Sequence, residues 1–160
     1  MKNQALKIGI LLLCVAVGAL IFTLPTTPKE AVSKDSDLDK KVKEAVALVQ
    51  FGQQPMAGIQ LLREVIAKDS LHPEALYQLG VFSIQSRQWD KGLERFETLK
   101  REKGFSKYPD AYYYHALCYA SLDSLPKALT LINEGLTVVE DSSLNASLTQ
   151  FRNTIINLKN

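Results

Sequence analysis

The stretch HPEALYQLGVFSIQSRQWDKGLERF, residues 72–96, decides how the chain folds. Two amphipathic helical patterns flank a short polar break, and each places large apolar residues and one glycine on a single face. A glycine inside a helix costs about 1 kcal/mol relative to alanine, so Gly80 and Gly92 indicate a packing requirement. Because neither has a Cβ atom, each lets a neighbouring backbone approach closely. The stretch therefore predicts two antiparallel helices in close contact.

The stretch resembles a tetratricopeptide repeat (TPR), a helix–turn–helix unit of about 34 residues with the pattern W-x2-L-G-x2-Y…A-x3-F…P. Ser83 departs from the pattern, because it stands where the repeat usually has tyrosine. Gly92 replaces the small alanine and is conservative in size. The positions that carry the resemblance are Leu76, Leu79, Gly80, Gly92 and Phe96.

The same pattern recurs on both sides. Downstream, Ala116 corresponds to Gly80 at an offset of 36 residues, and upstream, Gly58 corresponds to Gly92 at an offset of 34 residues. One unit cannot bury its own apolar face, and three copies meet the minimum for a stable array. The resemblance thus implies an all-α, TPR-like α-α superhelix, with an unrelated helical bundle as the alternative. The three helix–turn–helix repeats cover residues 38–140, at about 39–72, 73–108 and 109–142.

The breaks between apolar stripes predict the helix bounds. Prolines at or just inside four predicted starts support them, because a missing N–H does no harm there. Ser143 to Leu158 carries one further apolar stripe, which predicts a capping helix over residues 143–158 that covers the third repeat. A dimerisation helix is the alternative. The six repeat helices are predicted at 38–52, 55–68, 73–86, 89–102, 109–121 and 125–139.

Residues 8–24 are an uncharged apolar run, IGILLLCVAVGALIFTL. As a helix it spans about 26 Å, near the lower limit for crossing a hydrocarbon core of about 30 Å. We expect a transmembrane signal-anchor, with residues 1–7 in the cytoplasm because two lysines precede the run. Residues 25–37 then form a linker, and the helical domain lies outside the inner membrane, in the periplasm of a bacterial cell. A cleaved secretory signal and a lipoprotein signal at Cys14 are the alternatives.

The charge balance argues against nucleic-acid binding, and the positions of the histidines and of Cys118 argue against catalysis. Residues 25–160 contain 17 basic and 17 acidic residues, which leaves no electrostatic footprint for nucleic acid. His72 is expected in the loop before a helix, either exposed to solvent or in a turn contact. His115 and Cys118 are three residues apart on one helix and would make a nucleophile if they paired, but repeat packing explains both. Since no third metal ligand or glycine-rich phosphate loop accompanies them, the sequence predicts no enzyme, no metal site and no cofactor.

In a TPR array the first helix of each repeat lines a concave groove, so the resemblance implies a surface that binds a peptide or a helix. A clamp for a C-terminal carboxylate is not expected, because only Lys43 fits that pattern. Tyrosines and aliphatic residues dominate instead, and tyrosine suits peptide capture. Packing between repeats is the alternative role for some of them. The implied groove residues are Lys43, Phe51, Tyr77, Gln78, Val81, Ile84, Tyr113, Tyr114 and Leu117.

These features predict a membrane-anchored protein–protein interaction module, a TPR adaptor or scaffold. Its groove is expected to bind a peptide or helix of an envelope protein. The layout resembles single-span bacterial inner-membrane proteins with a small periplasmic TPR domain. The alternative is a self-associating structural TPR protein, a homo-oligomer joined through the groove or the C-terminal helix.

Overall fold

A computed structural model describes residues 29–50 and 54–158, with side chains from residue 37 onward. The described residues form seven helices and no strand. The predicted membrane span at 8–24 and the groove residue Phe51 lie outside this part of the chain. None of the helices within it is long and apolar enough to cross a membrane. The helices are α1 (Lys29–Gln50), α2 (Pro55–Lys68), α3 (Pro73–Gln85), α4 (Trp89–Lys103), α5 (Ala111–Ser121), α6 (Leu125–Val138) and α7 (Ser142–Leu158).

Helices α2 to α6 begin and end within two residues of their predicted bounds. Helix α1 differs, because it begins at Lys29 and not at residue 38. Residues 29–37, predicted as part of a linker, are therefore helical. Their lysines, glutamate and alanine are good helix formers, and the absence of large apolar residues bears on packing and not on backbone conformation. The chain divides into two units, Met1–Asp37 and Leu38–Asn160.

Within the second unit the helices stack in succession. Helix α3 packs on α4 and α5 on α6, and these pairs are joined by contacts of α2 with α3, α4 with α5 and α6 with α7. The first helices of successive pairs also touch, because α5 contacts both α3 and α7. Helix α7 therefore occupies the place that the first helix of a further pair would take. Leu148 and Ile155 of its apolar stripe are buried.

Glycines allow close helix contacts, but at Gly80 and Gly92 the nearest neighbours are side chains and not the backbone that the sequence predicts. A Cβ atom at Gly80 would lie 2.7 Å from Cζ of Phe96, whose ring is fully buried between α3 and α4. A Cβ atom at Gly58 would lie 2.5 Å from the carbonyl oxygen of Ala45, so α2 approaches the backbone of α1. Real Cβ atoms avoid such distances, and only glycine fits these two positions without movement.

The turns within the second and third pairs repeat the same backbone geometry. Arg87 and Asp123, 36 residues apart, both adopt the left-handed conformation, with φ of 55° and 56°. The next residue in each turn donates its N–H to a carbonyl five residues earlier, Gln88 to Ser83 at 2.7 Å and Ser124 to Tyr119 at 2.8 Å. The repeat period thus extends from the sequence pattern to the hydrogen bonds of the turns.

The buried apolar residues form two clusters. The N-terminal core cluster is aliphatic and joins α1, α2 and α3. The C-terminal core cluster joins α3 to α7 and contains most of the aromatic rings. The N-terminal core cluster comprises Leu38, Val42, Ala45, Ile59, Leu62, Val65, Ala75 and Leu79. The C-terminal core cluster comprises Leu76, Phe96, Leu99, Phe105, Tyr108, Ala111, Tyr112, Ala116, Cys118, Ala128, Leu131, Ile132, Val139, Leu148 and Ile155.

Candidate peptide-binding groove

The first helices α1, α3, α5 and α7 form one face, which we call the groove face. Of the predicted groove residues, Lys43 is exposed, and those on α3 and α5 are half-buried. Five of the half-buried residues also pack against the C-terminal core cluster, so they support the core as well as the surface. These five are Tyr77, Val81, Ile84, Tyr113 and Tyr114.

A cleft of about 430 Å³ lies between α5 and α7, and we call it the aromatic cleft. The ring centroid of Tyr113 is 5.3 Å from that of Phe151 and 5.9 Å from that of Tyr114. Tyr114 in turn stacks on the buried ring of Phe96, with centroids 6.2 Å apart. The cleft is therefore walled by rings that the core holds in place. Its lining residues are Asp110, Tyr113, Tyr114, Leu144, Ser147, Gln150, Phe151 and Thr154.

Tyr77 joins the second pair to the third. Its hydroxyl donates a hydrogen bond to Oδ2 of Asp110 at 2.5 Å, and its ring stacks on Tyr108 at a centroid distance of 4.6 Å. Burial, followed by the hydrogen bond to Asp110, raises the pKa of Tyr77 well above its usual value. The hydroxyl therefore stays a neutral donor near pH 7 and fixes one oxygen of the Asp110 carboxylate. Tyr77 is thus part of the packing between repeats as well as of the groove face.

A second cleft on the groove face, of about 420 Å³, has charges of both signs, and we call it the mixed-charge cleft. Oε2 of Glu74 accepts a hydrogen bond from the Tyr108 hydroxyl at 2.8 Å and lies 3.9 Å from Nζ of Lys107. Lys43 is the predicted groove residue that lines it. The acids of this cleft therefore have basic neighbours. Its lining residues are Asp39, Val42, Lys43, Val46, Ala47, Glu74 and Lys107.

His72 lies in the loop before α3 and is 7% exposed, so of its two expected roles it takes the turn contact and not solvent exposure. Its Nδ1 accepts the N–H of Ala75 at 3.4 Å, at the start of α3, while its Nε2 lies 3.2 Å from Oδ1 of Asp39. The residue caps one helix and reaches back to α1. Only the contact with Asp39 was not predicted, because nothing in the local pattern shows which residue of the preceding repeat faces the loop.

His115 and Cys118 are both buried, but they do not form a nucleophilic pair. Neither ring nitrogen of His115 has a hydrogen-bond partner, and burial lowers the pKa of His115 to about 4. Burial also raises the pKa of Cys118 to about 12. The imidazole is therefore neutral and the thiol protonated near pH 7. Within residues 37–50 and 54–158, no three His, Cys, Asp or Glu side chains converge as metal ligands.

A third cleft, of about 600 Å³, lies away from the groove face and is lined by residues of α4, α5 and α6. Oε1 of Glu97 accepts a hydrogen bond from the Tyr119 hydroxyl at 2.5 Å, and Nζ of Lys127 lies 5.2 Å from the centre of the Tyr119 ring. Both charged side chains therefore already contact Tyr119. We call it the second-helix cleft, and its lining residues are Glu97, Lys100, Arg101, His115, Tyr119, Lys127, Thr130 and Leu131.

The succession of helix pairs defines an all-α, TPR-like fold. The chain is similar to the solved structure of the MamA RS-1 ArsTM double mutant, a TPR-like protein, with a TM-score of 0.57. The two are 15% identical, and the similarity covers 78% of each chain. At this level of identity the similarity concerns the fold. The sequence matches no family model and no curated protein.

Proposed function

We propose that this chain is a protein-interaction module, and not an enzyme, whose groove face binds a peptide or helix of a partner protein. The TPR-like fold supports a protein-interaction or scaffold role. The observation that carries the finer proposal is the aromatic cleft, where half-exposed rings stand on packed helices at the edge of the C-terminal core cluster. Tyrosine and phenylalanine provide large contact areas and lose little side-chain entropy on binding.

A variant on α5 tests this proposal. Peptides are first selected from a random library on the immobilised full-length chain. Tyr113→Ala removes one wall of the aromatic cleft and is expected to weaken the selected peptides by about tenfold or more, as anchoring aromatic residues do. The control is Tyr119→Ala, the same substitution on the same helix in the second-helix cleft. Equal affinities for wild type and Tyr113→Ala, or a loss confined to Tyr119→Ala, would contradict the proposal.

We also propose that residues 8–24 anchor the chain in the inner membrane of a bacterial cell, with the helical unit in the periplasm and an envelope protein as partner. The proposal is supported by the length of the uncharged run and by the lysines that precede it. Alkaline carbonate extraction of membranes tests the anchor. The full-length chain should stay in the pellet, and a chain lacking residues 8–24 should be released. Release of the full-length chain, or a mass that shows cleavage after the run, would contradict a retained anchor.

Self-association is a second candidate function, and one observation favours it. Ile156 and Leu158 near the end of α7 are 44% and 72% exposed. Light scattering on the full-length chain over a range of concentrations separates the two. A mass that rises with concentration and returns to the monomer value in Ile156→Glu would support self-association. A constant monomer mass would contradict self-association and leave peptide binding at the groove face as the proposed function.

A further inference from the structure

The Asp110 carboxylate lies at the edge of the aromatic cleft and forms no ion pair with a described side chain. One oxygen, Oδ2, accepts the hydrogen bond from Tyr77. The ion pairs among the described side chains involve other carboxylates, and no described lysine or arginine lies within ion-pair distance of Asp110. The carboxylate, at the N-terminus of α5, therefore brings to the cleft a negative charge that none of these ion pairs neutralises.

The other walls of the cleft also favour a cation. The faces of Tyr113, Tyr114 and Phe151 carry the negative part of the ring quadrupole, which attracts ammonium and guanidinium groups. Ser147 and Thr154 donate their hydroxyl hydrogens to helix carbonyls at 3.0 Å, which leaves the lone pairs of their oxygens as acceptors. No lysine, arginine or histidine lines this cleft. The aromatic faces, the hydroxyl oxygens and the carboxylate thus all attract a cation.

The mixed-charge cleft lacks this combination of aromatic walls, acceptor oxygens and no basic side chain. It has a similar volume, but Lys43 and Lys107 stand among its acids, and it has no aromatic wall. An incoming cation would meet two positive charges there and none in the aromatic cleft. Charge complementarity therefore singles out the end of the groove between α5 and α7.

We propose that the aromatic cleft binds the cationic side chain of an arginine or lysine in the partner peptide. Asp110 pairs with the cation, while Tyr113, Tyr114 and Phe151 contact its face and its aliphatic stem. Arginine fits this arrangement especially well, because its planar guanidinium stacks on rings and forks onto carboxylates. This inference rests on the proposed function and names the chemistry of the partner.

Peptide selection from a random library tests it on the full-length chain. The variant Asp110→Asn removes the charge and keeps an oxygen that can accept the Tyr77 hydrogen bond. The control Asp90→Asn makes the same charge change at an exposed position in the first turn of α4. Peptides selected on wild type and on Asp90→Asn should be enriched in arginine and lysine at one position. Peptides selected on Asp110→Asn should lose that enrichment.

A selected peptide then allows a double-mutant cycle. Replacing its basic residue by glutamine should lower affinity for wild type by about tenfold and lower affinity for Asp110→Asn much less, because the variant keeps only the attraction of the rings and hydroxyls. Raising the salt concentration should lower the affinity of the wild-type chain for the basic peptide and not for the glutamine peptide. The reason is that salt screens the pair between Asp110 and the basic residue, which is partly open to solvent. The glutamine peptide is measured on the wild-type chain, so this comparison holds even if Asp110→Asn does not fold.

The outcomes separate this inference from the proposed function. Peptides that depend on Tyr113 but show no basic preference would overturn the inference and leave groove binding intact. Equal affinity of the basic and glutamine peptides for wild type would overturn it too. Failure to select any Tyr113-dependent peptide would overturn both proposals.

Discussion

The two core clusters differ in their side chains, although the helices that carry them follow the same plan. The N-terminal core cluster is filled by aliphatic residues such as Leu62 and Val65, which offer no polar group. The C-terminal core cluster contains Tyr108 and Tyr112, whose hydroxyls donate hydrogen bonds to Glu74 and Glu134 at 2.8 and 3.1 Å. Stacking of helix pairs therefore needs only small residues and apolar volume at the right spacing. The aromatic rings add a second property, which is a walled cleft on the groove face.

The largest expected effect comes from removing the ring at the centre of the C-terminal core cluster. Phe96→Ala should lower the free energy of unfolding by about 3–5 kcal/mol, because the ring is fully buried and packs against Tyr77 and Tyr114. Urea denaturation of the full-length chain measures it, with Leu62→Ala as the aliphatic counterpart in the other cluster. A loss well below 1 kcal/mol would show that the cluster is not organised around this ring.

The contact between Gly80 and Phe96 gives the next effect. Gly80→Ala should cost about 1–3 kcal/mol, because its Cβ would lie 2.7 Å from Cζ of a buried ring. Gly80→Leu should overpack the helix pair further. Combining Gly80→Ala with Phe96→Leu provides the check, since the narrower side chain leaves room and the two losses should not add. Strictly additive losses would mean that the two residues are not in contact.

His115 makes the stability of the C-terminal core cluster depend on pH. Its pKa is lowered from 6.5 to about 4 by burial, so the unfolded chain takes up a proton more readily than the folded chain. Stability is complete above the unfolded pKa and falls as pH drops towards the folded pKa. Between about pH 7 and about pH 5, protonation of His115 in the unfolded chain should lower the free energy of unfolding by about 2 kcal/mol.

Denaturation of wild type and His115→Leu at the two pH values measures the effect of the histidine. The leucine variant should lose this part of the pH dependence. It should also be no less stable than wild type near neutral pH, because it leaves no buried nitrogen without a partner. The same pH dependence in both chains would show that His115 does not cause it.

The smallest expected effect separates the groove surface from the core. Tyr113→Ala should lower the free energy of unfolding by roughly 1 kcal/mol, because the side chain is half-exposed, although it packs against the C-terminal core cluster as well as against Tyr114 and Phe151. Tyr77→Ala should cost more, because Tyr77 stacks on Tyr108 and holds Asp110. Similar losses for both variants would place Tyr113 in the packing between repeats.

The helix pairs could be predicted from the sequence because their determinants are local. Pro55 and Pro73 mark helix starts, and Gly80 marks the position on α3 against which the ring of Phe96 packs. The early start of α1 was missed, since residues 29–37 contain no large apolar groups to form a stripe. An apolar stripe reports which face of a helix is buried but not which neighbour buries it.

The candidate site could be predicted only in part for the same reason. Tyr113 and Tyr114 followed from the TPR resemblance, and they line the aromatic cleft. The role of Asp110 could not be predicted, because its hydrogen bond with Tyr77 depends on how successive repeats pack. The contribution of Phe151 depends on where α7 docks. Its position in the apolar stripe of residues 143–158 was the available signal.

Nuclear magnetic resonance of the full-length chain, with labelled aromatic and methyl groups, shows which face of the helical domain binds a peptide. A peptide selected on the wild-type chain is added, and the residues whose signals shift are mapped on the fold. Binding in the aromatic cleft predicts shifts on the groove face, at Tyr113, Tyr114, Leu144 and Phe151. Shifts confined to the second-helix cleft, at Tyr119 and Leu131, would contradict it.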